Sequence, residues 1–153
     1  MNKKIYALIS LLIIALGYYL VLPAFIVIEA NEDIIFNETT NQENNQNQSK
    51  PVILSESNLI PEEHEVEGKV LILEQNDQKI LRFEDFYTIN GPNLHIYLVD
   101  SNNTDQFIDL GEIKATKGNV NYQLPDGIDL NKYNQVRVYC VPFKKVFSYA
   151  SLF

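Results

Sequence analysis

Short apolar runs rich in β-branched and aromatic residues recur along the C-terminal part of the chain, separated by turn-forming residues. This spacing is typical of antiparallel β structure. The pattern predicts seven strands: Val66 to Glu74, Lys79 to Phe86, Leu94 to Val99, Phe107 to Ala115, Asn119 to Leu124, Gln135 to Val141 and Val146 to Leu152. Turn residues at 75–78, 90–92 and 125–127 separate several of these runs. We therefore expect an all-β fold, an antiparallel β-sandwich of about seven to eight strands.

The N-terminal segment Ile5 to Ile28 contains 24 residues without a charge. As a helix it would reach about 36 Å, which exceeds the hydrocarbon core of about 30 Å. Two lysines precede it and acidic residues follow it, so the positive-inside bias places residues 1–4 in the cytoplasm and the rest of the chain outside. The alternative is a secretory signal peptide cleaved near Ala30, but such peptides have apolar cores of about 7 to 15 residues. The segment is therefore predicted to be a single-pass transmembrane signal-anchor.

The charge balance limits what the outer part of the chain binds. The chain has 20 acidic and 12 basic residues, and two of the lysines precede the apolar segment. An acidic domain lacks the basic face with which proteins hold nucleic-acid phosphates, so nucleic acid is excluded as a partner. The remaining expected partners are a cell-envelope protein or polysaccharide, together with the membrane through residues 5–28.

An Asn- and Gln-rich stretch follows the apolar segment. Residues 37–50 include five Asn and three Gln and no apolar residue, so they bury too little surface to offset the entropy of ordering. We expect residues 29–63 to form a disordered tether with a lead-in, and residues 64–153 to form the compact domain. Three glycosylation sequons occur in the outer part, at Asn37, Asn47 and Asn102.

Cys140 is the only cysteine, so an intramolecular disulfide is excluded. Strand alternation places it on the face of Val136 and Val138, opposite Arg137 and Tyr139. A free cysteine on an apolar face packs as a small core residue. The alternative is a reactive or ligand-holding thiol, which needs partial exposure and a cationic neighbour.

Other chemical motifs are missing from the sequence. His64 and His95 are far apart, and with one cysteine they give no zinc-site spacing, so no metal site is predicted. The oxygen-rich stretch 100–105 lacks the glycine and distant glutamate of a calcium loop. Ser148 and Ser151 have no neighbouring base. The sequence therefore shows no hydrolase or transferase machinery, and we do not predict an enzyme.

An ordered set of short motifs resembles a known family. The motifs are Glu67–Val70, Leu81–Phe86, Asn90–Leu98, Asp109–Gly111, Lys117–Asn119 with Tyr122 and Pro125, and Tyr139–Cys140 with Phe143 and Phe147. In this order they resemble the DM-thirteen domain over residues 64 to 153. That domain occurs in bacterial and archaeal surface proteins and in insect cuticle proteins.

The resemblance implies an extracytoplasmic all-β module that takes part in electron transfer or redox sensing. The matching cysteine, Cys140, would act as a bare thiol or hold a prosthetic group such as haem, with Tyr139 beside it. The structural motif residues of the match are Gly91, Pro92, Gly111 and Gly118. Two positions depart from the family pattern, because Tyr139 replaces a frequent tryptophan and Ser148 replaces a frequent glycine.

Two functions follow from these observations, and the surroundings of the thiol distinguish them. A sulfur beside an open pocket would favour electron transfer or redox sensing through Cys140. A sealed Cys140 together with a contiguous aromatic surface would favour a non-catalytic module that binds a cell-envelope partner.

Overall fold

The structure, a computed structural model, describes residues 3–34 and 50–153. Within these residues it has one α-helix, one short 3₁₀ segment and ten strands. They are α1 (Lys3–Val21), the 3₁₀ segment (Leu22–Phe25), β1 (Glu29–Asn31), β2 (Val52–Asn58), β3 (Ile60–Pro61), β4 (Val66–Gln75), β5 (Gln78–Thr88), β6 (Leu94–Val99), β7 (Phe107–Glu112), β8 (Lys117–Gln123), β9 (Gln135–Cys140) and β10 (Lys145–Ser151). The seven predicted strands are all present, and the all-β prediction is confirmed.

The strands form two five-stranded sheets. Sheet A has the order β1-β8-β5-β4-β2, and sheet B has the order β3-β10-β9-β6-β7. Alternate residues of the two sheets face each other and form one apolar core, with Phe83, Ile96 and Val138 fully buried in it. The arrangement is the predicted sandwich, and its neighbouring strands are antiparallel except for β1 and β8, which run parallel.

Three strands lie before His64, where the sequence places the start of the compact domain. β1 pairs with β8, β2 pairs with β4, and β3 pairs with β10. The sandwich therefore begins at Glu29, and the Asn-rich stretch separates two strands of one sheet instead of separating the helix from the domain. Residues 35–49, with the predicted tether and the sequons at Asn37 and Asn47, lie outside the described residues, whereas Asn102 lies in the exposed β6–β7 loop.

β1 is held by backbone contacts that depend on a glycine. Gly118 in β8 has a φ of +109°, and a Cβ atom there would collide with the carbonyl oxygen of Ala30. Just before β1, the N–H of Ile28 donates to the Thr116 Oγ1 at 2.9 Å, and the N–H of Thr116 donates to the Ile28 carbonyl at 2.8 Å. After β1, the buried Arg82 guanidinium donates to the carbonyl of Glu32 at 2.9 Å. This segment fixes the chain to sheet A within a few residues of the helix.

One end of the sandwich, which we call the anchor-side end, lies next to this attachment. It contains the first residues of β6, β8 and β10 and the last residue of β9, Cys140. The opposite end carries the β4–β5 hairpin and the β6–β7 loop. Helix α1 is long and apolar enough to span a membrane, and its position near the N-terminus also suits a signal sequence. It ends at Val21, two residues before Pro23, because proline lacks the N–H that a helix needs.

The stability of the sandwich is expected to fall at high pH because of Tyr122. This side chain is 3% exposed, and burial raises its pKa to about 12 from its usual value of 10. As the pH rises, Tyr122 therefore ionises in the unfolded chain before it ionises in the folded one, and its contribution to the free energy of unfolding is lost from about pH 10 to 12. Between pH 9 and 11 we expect the free energy of unfolding to fall by about 1 to 1.5 kcal/mol because of this group. Urea denaturation at the two pH values measures it, and a Tyr122→Phe variant that lost the same amount would contradict the assignment.

Candidate functional site

Cys140 ends β9 at the anchor-side end, with its side chain in the core. Its sulfur is fully buried, on the same face as Val136 and Val138, as strand alternation predicted. The thiol donates to the carbonyl oxygen of Pro92 at 3.4 Å. The sulfur therefore lies directly behind the backbone of the Gly91–Pro92 corner.

The surroundings of the thiol favour its protonated form. Burial raises the pKa of the Cys140 thiol, and a backbone hydrogen bond with Phe143 opposes this effect only in part. Lys145 pairs with Cys140 along the backbone, but its ammonium bonds to Glu63 at 2.6 Å. In this state the sulfur is a neutral thiol, and no cation among residues 3–34 and 50–153 hydrogen-bonds to it, which is the opposite of the environment that activates cysteine.

A cleft of about 240 Å³ is lined by this corner. Gly91 and Pro92 border it together with Phe143, Phe147 and Leu20 of helix α1, whereas Cys140 does not. A Cβ atom on Gly91 would lie 3.0 Å from the ring of Phe147, so the absence of a side chain there keeps this corner close to the phenylalanine. The cleft and the thiol thus share Pro92, which contacts both.

Charged and ring groups form the rim of the cleft. Glu63 and Lys145 make an ion pair at 2.6 Å, and this interaction lowers the pKa of the Glu63 carboxyl and raises that of the Lys145 ammonium. The ring of His64 packs edge-on against Phe147, with 4.2 Å between the centroids. No local sequence pattern reveals this grouping, because each pair joins positions more than 80 residues apart.

The residues singled out by the sequence occupy four places. Gly91 and Pro92 lie together with Cys140. Tyr139 lies on the outer face of sheet B, so it neighbours Cys140 in sequence but faces away from it. Gly111, with a φ of +104°, lies in the edge strand β7, and Gly118 lies against β1.

The outer face of sheet B carries a row of stacked rings. Tyr97 stacks on Phe107 with 4.4 Å between centroids and on Tyr139 with 4.9 Å. Next to this row, His95 Nδ1 lies 2.9 Å from a carboxylate oxygen of Asp109. Phe107 is 47% exposed. A contiguous aromatic surface of this kind, together with a sealed Cys140, is the arrangement expected of a binding module.

The site does not fit a haem held by Cys140. The cleft is smaller than the roughly 300 to 1,000 Å³ of typical ligand pockets. The sulfur has no exposed surface, and Cys140 does not line the cleft. His95 is on the outer face and cannot serve as a second ligand on the side of the thiol.

One departure from the family pattern has a structural consequence. Ser148 is fully buried, and its hydroxyl is one of two buried side-chain polar atoms without a hydrogen-bond partner among the described residues; the other belongs to Thr88. A buried unpaired hydroxyl costs free energy. A glycine at position 148 would carry no such group.

Comparison with known proteins identifies the family. The model of the family described as Electron transfer DM13 matches residues 58–152, more than half of the chain. Neither the curated proteins nor the solved structures include a match. The matched region covers β3 to β10, the Gly91–Pro92 corner and Cys140, and it begins six residues before the predicted boundary at His64. The chain therefore belongs to the Electron transfer DM13 family.

Proposed function

We propose that this chain is a membrane-anchored, extracytoplasmic domain that serves electron transfer or redox sensing through Cys140, with the thiol exposed by a local opening of the anchor-side end. The observation that carries this proposal is the match of residues 58–152 to the Electron transfer DM13 family, because the closed structure by itself has the sealed Cys140 and the aromatic surface expected of a binding module. Pro92 lines the cleft, and its carbonyl oxygen accepts from the Cys140 thiol. The 3.4 Å contact with the Pro92 carbonyl closes the path between the thiol and the cleft. Opening this contact would connect the thiol with the cleft.

The anchor-side end supplies a short element that can open without unfolding the core. Cys140 is the last residue of β9, and the turn 141–144 leads directly into β10. Phe143 and Lys144 in this turn are exposed, and Lys144 has a φ of +54°. Local openings of such terminal turns cost less free energy than global unfolding. In the opened state Lys144 and Lys145 would lie near the sulfur and would lower its pKa.

The chemistry of the opened thiol is thiol–disulfide exchange with a second molecule. The Cys140 thiolate attacks a disulfide of the partner, a new S–S bond forms, and the partner's other sulfur leaves as a thiolate that takes up a proton. Because Cys140 is the only cysteine of the chain, a dithiol of a second partner must complete the cycle. Its first thiolate attacks the Cys140 sulfur and releases the first partner's remaining sulfur as a thiolate, which takes up a proton; its second thiolate then attacks the new mixed disulfide, closes a disulfide within the second partner and releases Cys140 as a thiolate. Two electrons thus pass from the dithiol to the first partner's disulfide through one sulfur atom.

The position of β1 supports an uncleaved anchor. Cleavage after Ala30 would remove the residues that bind Thr116 and Lys117 and would leave only one residue of β1. We therefore propose that the N-terminal segment is not cleaved and that α1 (Lys3–Val21) is its single-pass anchor, with the N-terminus in the cytoplasm and the sandwich outside. This span is shorter than the predicted residues 5–28, because Ile28 is already bonded to Thr116 of the sandwich. The intact mass of the chain recovered from its own membranes tests this proposal, since cleavage would remove the first 30 residues.

Labelling of the single thiol tests the redox proposal. The full chain in detergent is mixed with an aromatic disulfide that releases a coloured thiolate, at urea concentrations below the unfolding transition. We expect slow labelling whose rate hardly changes with urea, because a local opening exposes little surface. Phe147→Ala, which removes a ring from the cleft wall, is expected to speed labelling several-fold.

The controls separate a local opening from unfolding. Cys140→Ser must abolish labelling. Phe153→Ala removes the same ring type from an exposed position, 67% exposed, and must leave the labelling rate unchanged. A labelling rate that follows global unfolding at all urea concentrations would make Cys140 a core residue and would contradict the redox proposal.

A second candidate function is binding of a cell-envelope protein or polysaccharide. The row of stacked rings on sheet B favours it, because Phe107 leaves nearly half of its surface exposed next to Tyr97. This surface lies on the face of sheet B opposite to Cys140. Loss of envelope binding in Phe107→Ala, with unchanged labelling of Cys140, would favour this candidate.

A further inference from the structure

The link between the helix and the sandwich is very short. Only residues 26–28 separate the 3₁₀ segment, which ends at Phe25, from β1. At no more than about 3.5 Å per residue, these three residues span about 10 Å. Ile28 is already bonded to Thr116 by its N–H and its carbonyl. The anchor-side end of the sandwich therefore lies within about 10 Å of the outer end of the helical segment.

The helix also places the cleft at a defined depth. α1 has 19 residues and is about 28 Å long, close to the thickness of a bilayer's hydrocarbon core. Leu20, at its outer end, borders the same cleft as Ile89 and Phe143. If α1 spans the bilayer, these residues lie at the level where the acyl chains meet the headgroups.

The exposed side chains of the anchor-side end are of the kinds found at the boundary between lipid headgroups and acyl chains. Phe143 is 52% exposed and Tyr87 is 38% exposed, and Lys144 and Lys145 follow Phe143 directly. Aromatic rings with adjacent lysines are typical of membrane interfaces. Glu63 pairs with Lys145, so the end carries little net positive charge that would draw it to anionic lipid. The anchor-side end would therefore contact the lipid through its apolar side chains instead of through charge.

We infer that the sandwich rests with its anchor-side end on the outer leaflet, with Phe143 inserted at the boundary between headgroups and acyl chains. This inference rests on the proposed uncleaved anchor. The occupant of the surface is the lipid of the same membrane that holds α1. The entrance of the cleft then opens beside the lipid, and a reactant for Cys140 must approach along the membrane surface.

Fluorescence of a single introduced tryptophan tests the inference, because the natural chain has no tryptophan. The F143W variant of the full chain is reconstituted into vesicles of phosphatidylcholine with brominated acyl chains. We expect its emission to be much weaker than in vesicles of unbrominated lipid. We also expect the emission maximum to lie at a shorter wavelength than that of the unfolded variant in buffer without detergent. Bromine quenches only a ring that lies close to the acyl chains.

The F107W variant is the matched control. Phe107 is also about half exposed, 47%, but it pairs with Val99 at the far end of β6, about 17 Å from Leu94 at the strand rise. We expect its emission to be unchanged by brominated lipid. Equal quenching of the two variants, or no quenching of F143W, would overturn the docking.

Extraction of the vesicles with alkaline carbonate separates this result from a failure of the anchor. Protein that stays in the pellet while F143W is unquenched would leave the anchor intact and refute the docking alone. Protein released into the supernatant would refute the anchor, and the docking with it. Thiol labelling of Cys140 is independent of both outcomes.

Discussion

Replacing Gly118 with alanine is expected to release β1 from sheet A and to destabilise the sandwich by about 3 kcal/mol. The φ of +109° disfavours any residue with a Cβ atom, and that atom would collide with the carbonyl oxygen of Ala30. β1 itself has only three residues, so after its release the segment would be held by the hydrogen bonds of flanking residues such as Ile28 and Glu32 on either side of it. Urea denaturation of the full chain in detergent measures the loss.

Gly111→Ala is the control for this substitution. Its φ of +104° is nearly the same, but nothing lies within 4 Å of the position that a Cβ atom would take. It therefore carries the backbone strain without the collision, and we expect a loss of about 1 to 2 kcal/mol. If the two variants lost the same stability, the contact between Gly118 and Ala30 would not contribute to holding β1.

Phe83→Ala is expected to cost about 3 to 5 kcal/mol, because it leaves a cavity in the centre of the core. Phe83 is fully buried and its ring lies 4.8 Å from that of Phe86 and 5.8 Å from that of Tyr122, measured between centroids. The measurement is the urea midpoint of the full chain. Phe153→Ala makes the same change at a residue that is 67% exposed, and it should stay within about 0.5 kcal/mol of the natural chain. Similar midpoints for both variants would show that Phe83 is not central to the core.

The sequence predicts β6 and β9 well because each of them has its own alternation, whereas β4 and β5 show as largely apolar runs that are buried over Val70–Leu73 and Ile80–Phe83. In β6, Leu94 and Ile96 are buried and His95 and Tyr97 are half-buried, as a period of two requires. β1 and β3 could not be predicted in this way. β1 is three residues long and pairs through the glycine at position 118, and β3 has two residues, one of them proline. Their strand form comes from backbone pairing with distant segments and leaves no local pattern.

The candidate site was predictable only in part for the same reason. Alternation places Cys140 on the core side of β9, and the structure agrees. The wall at Pro92 and the ion pair between Glu63 and Lys145 depend on contacts 48 and 82 residues apart along the chain. Neither contact involves a residue type that signals its partner. The position of the sulfur relative to Pro92 and the cleft therefore depends on the fold and could not be predicted from the sequence pattern.

The parallel pairing of β1 with β8 affects how the protein is made. Glu29 pairs with Lys117, so the first strand to be synthesised must wait until 88 further residues have been added to the chain. Pairing over such a separation is slow, because the intervening chain must first be closed into a loop. We expect the growing chain to hold β2, β4 and β5 without β1 until β8 has been synthesised, and sheet B to be completed only after that, when β9 and β10 follow.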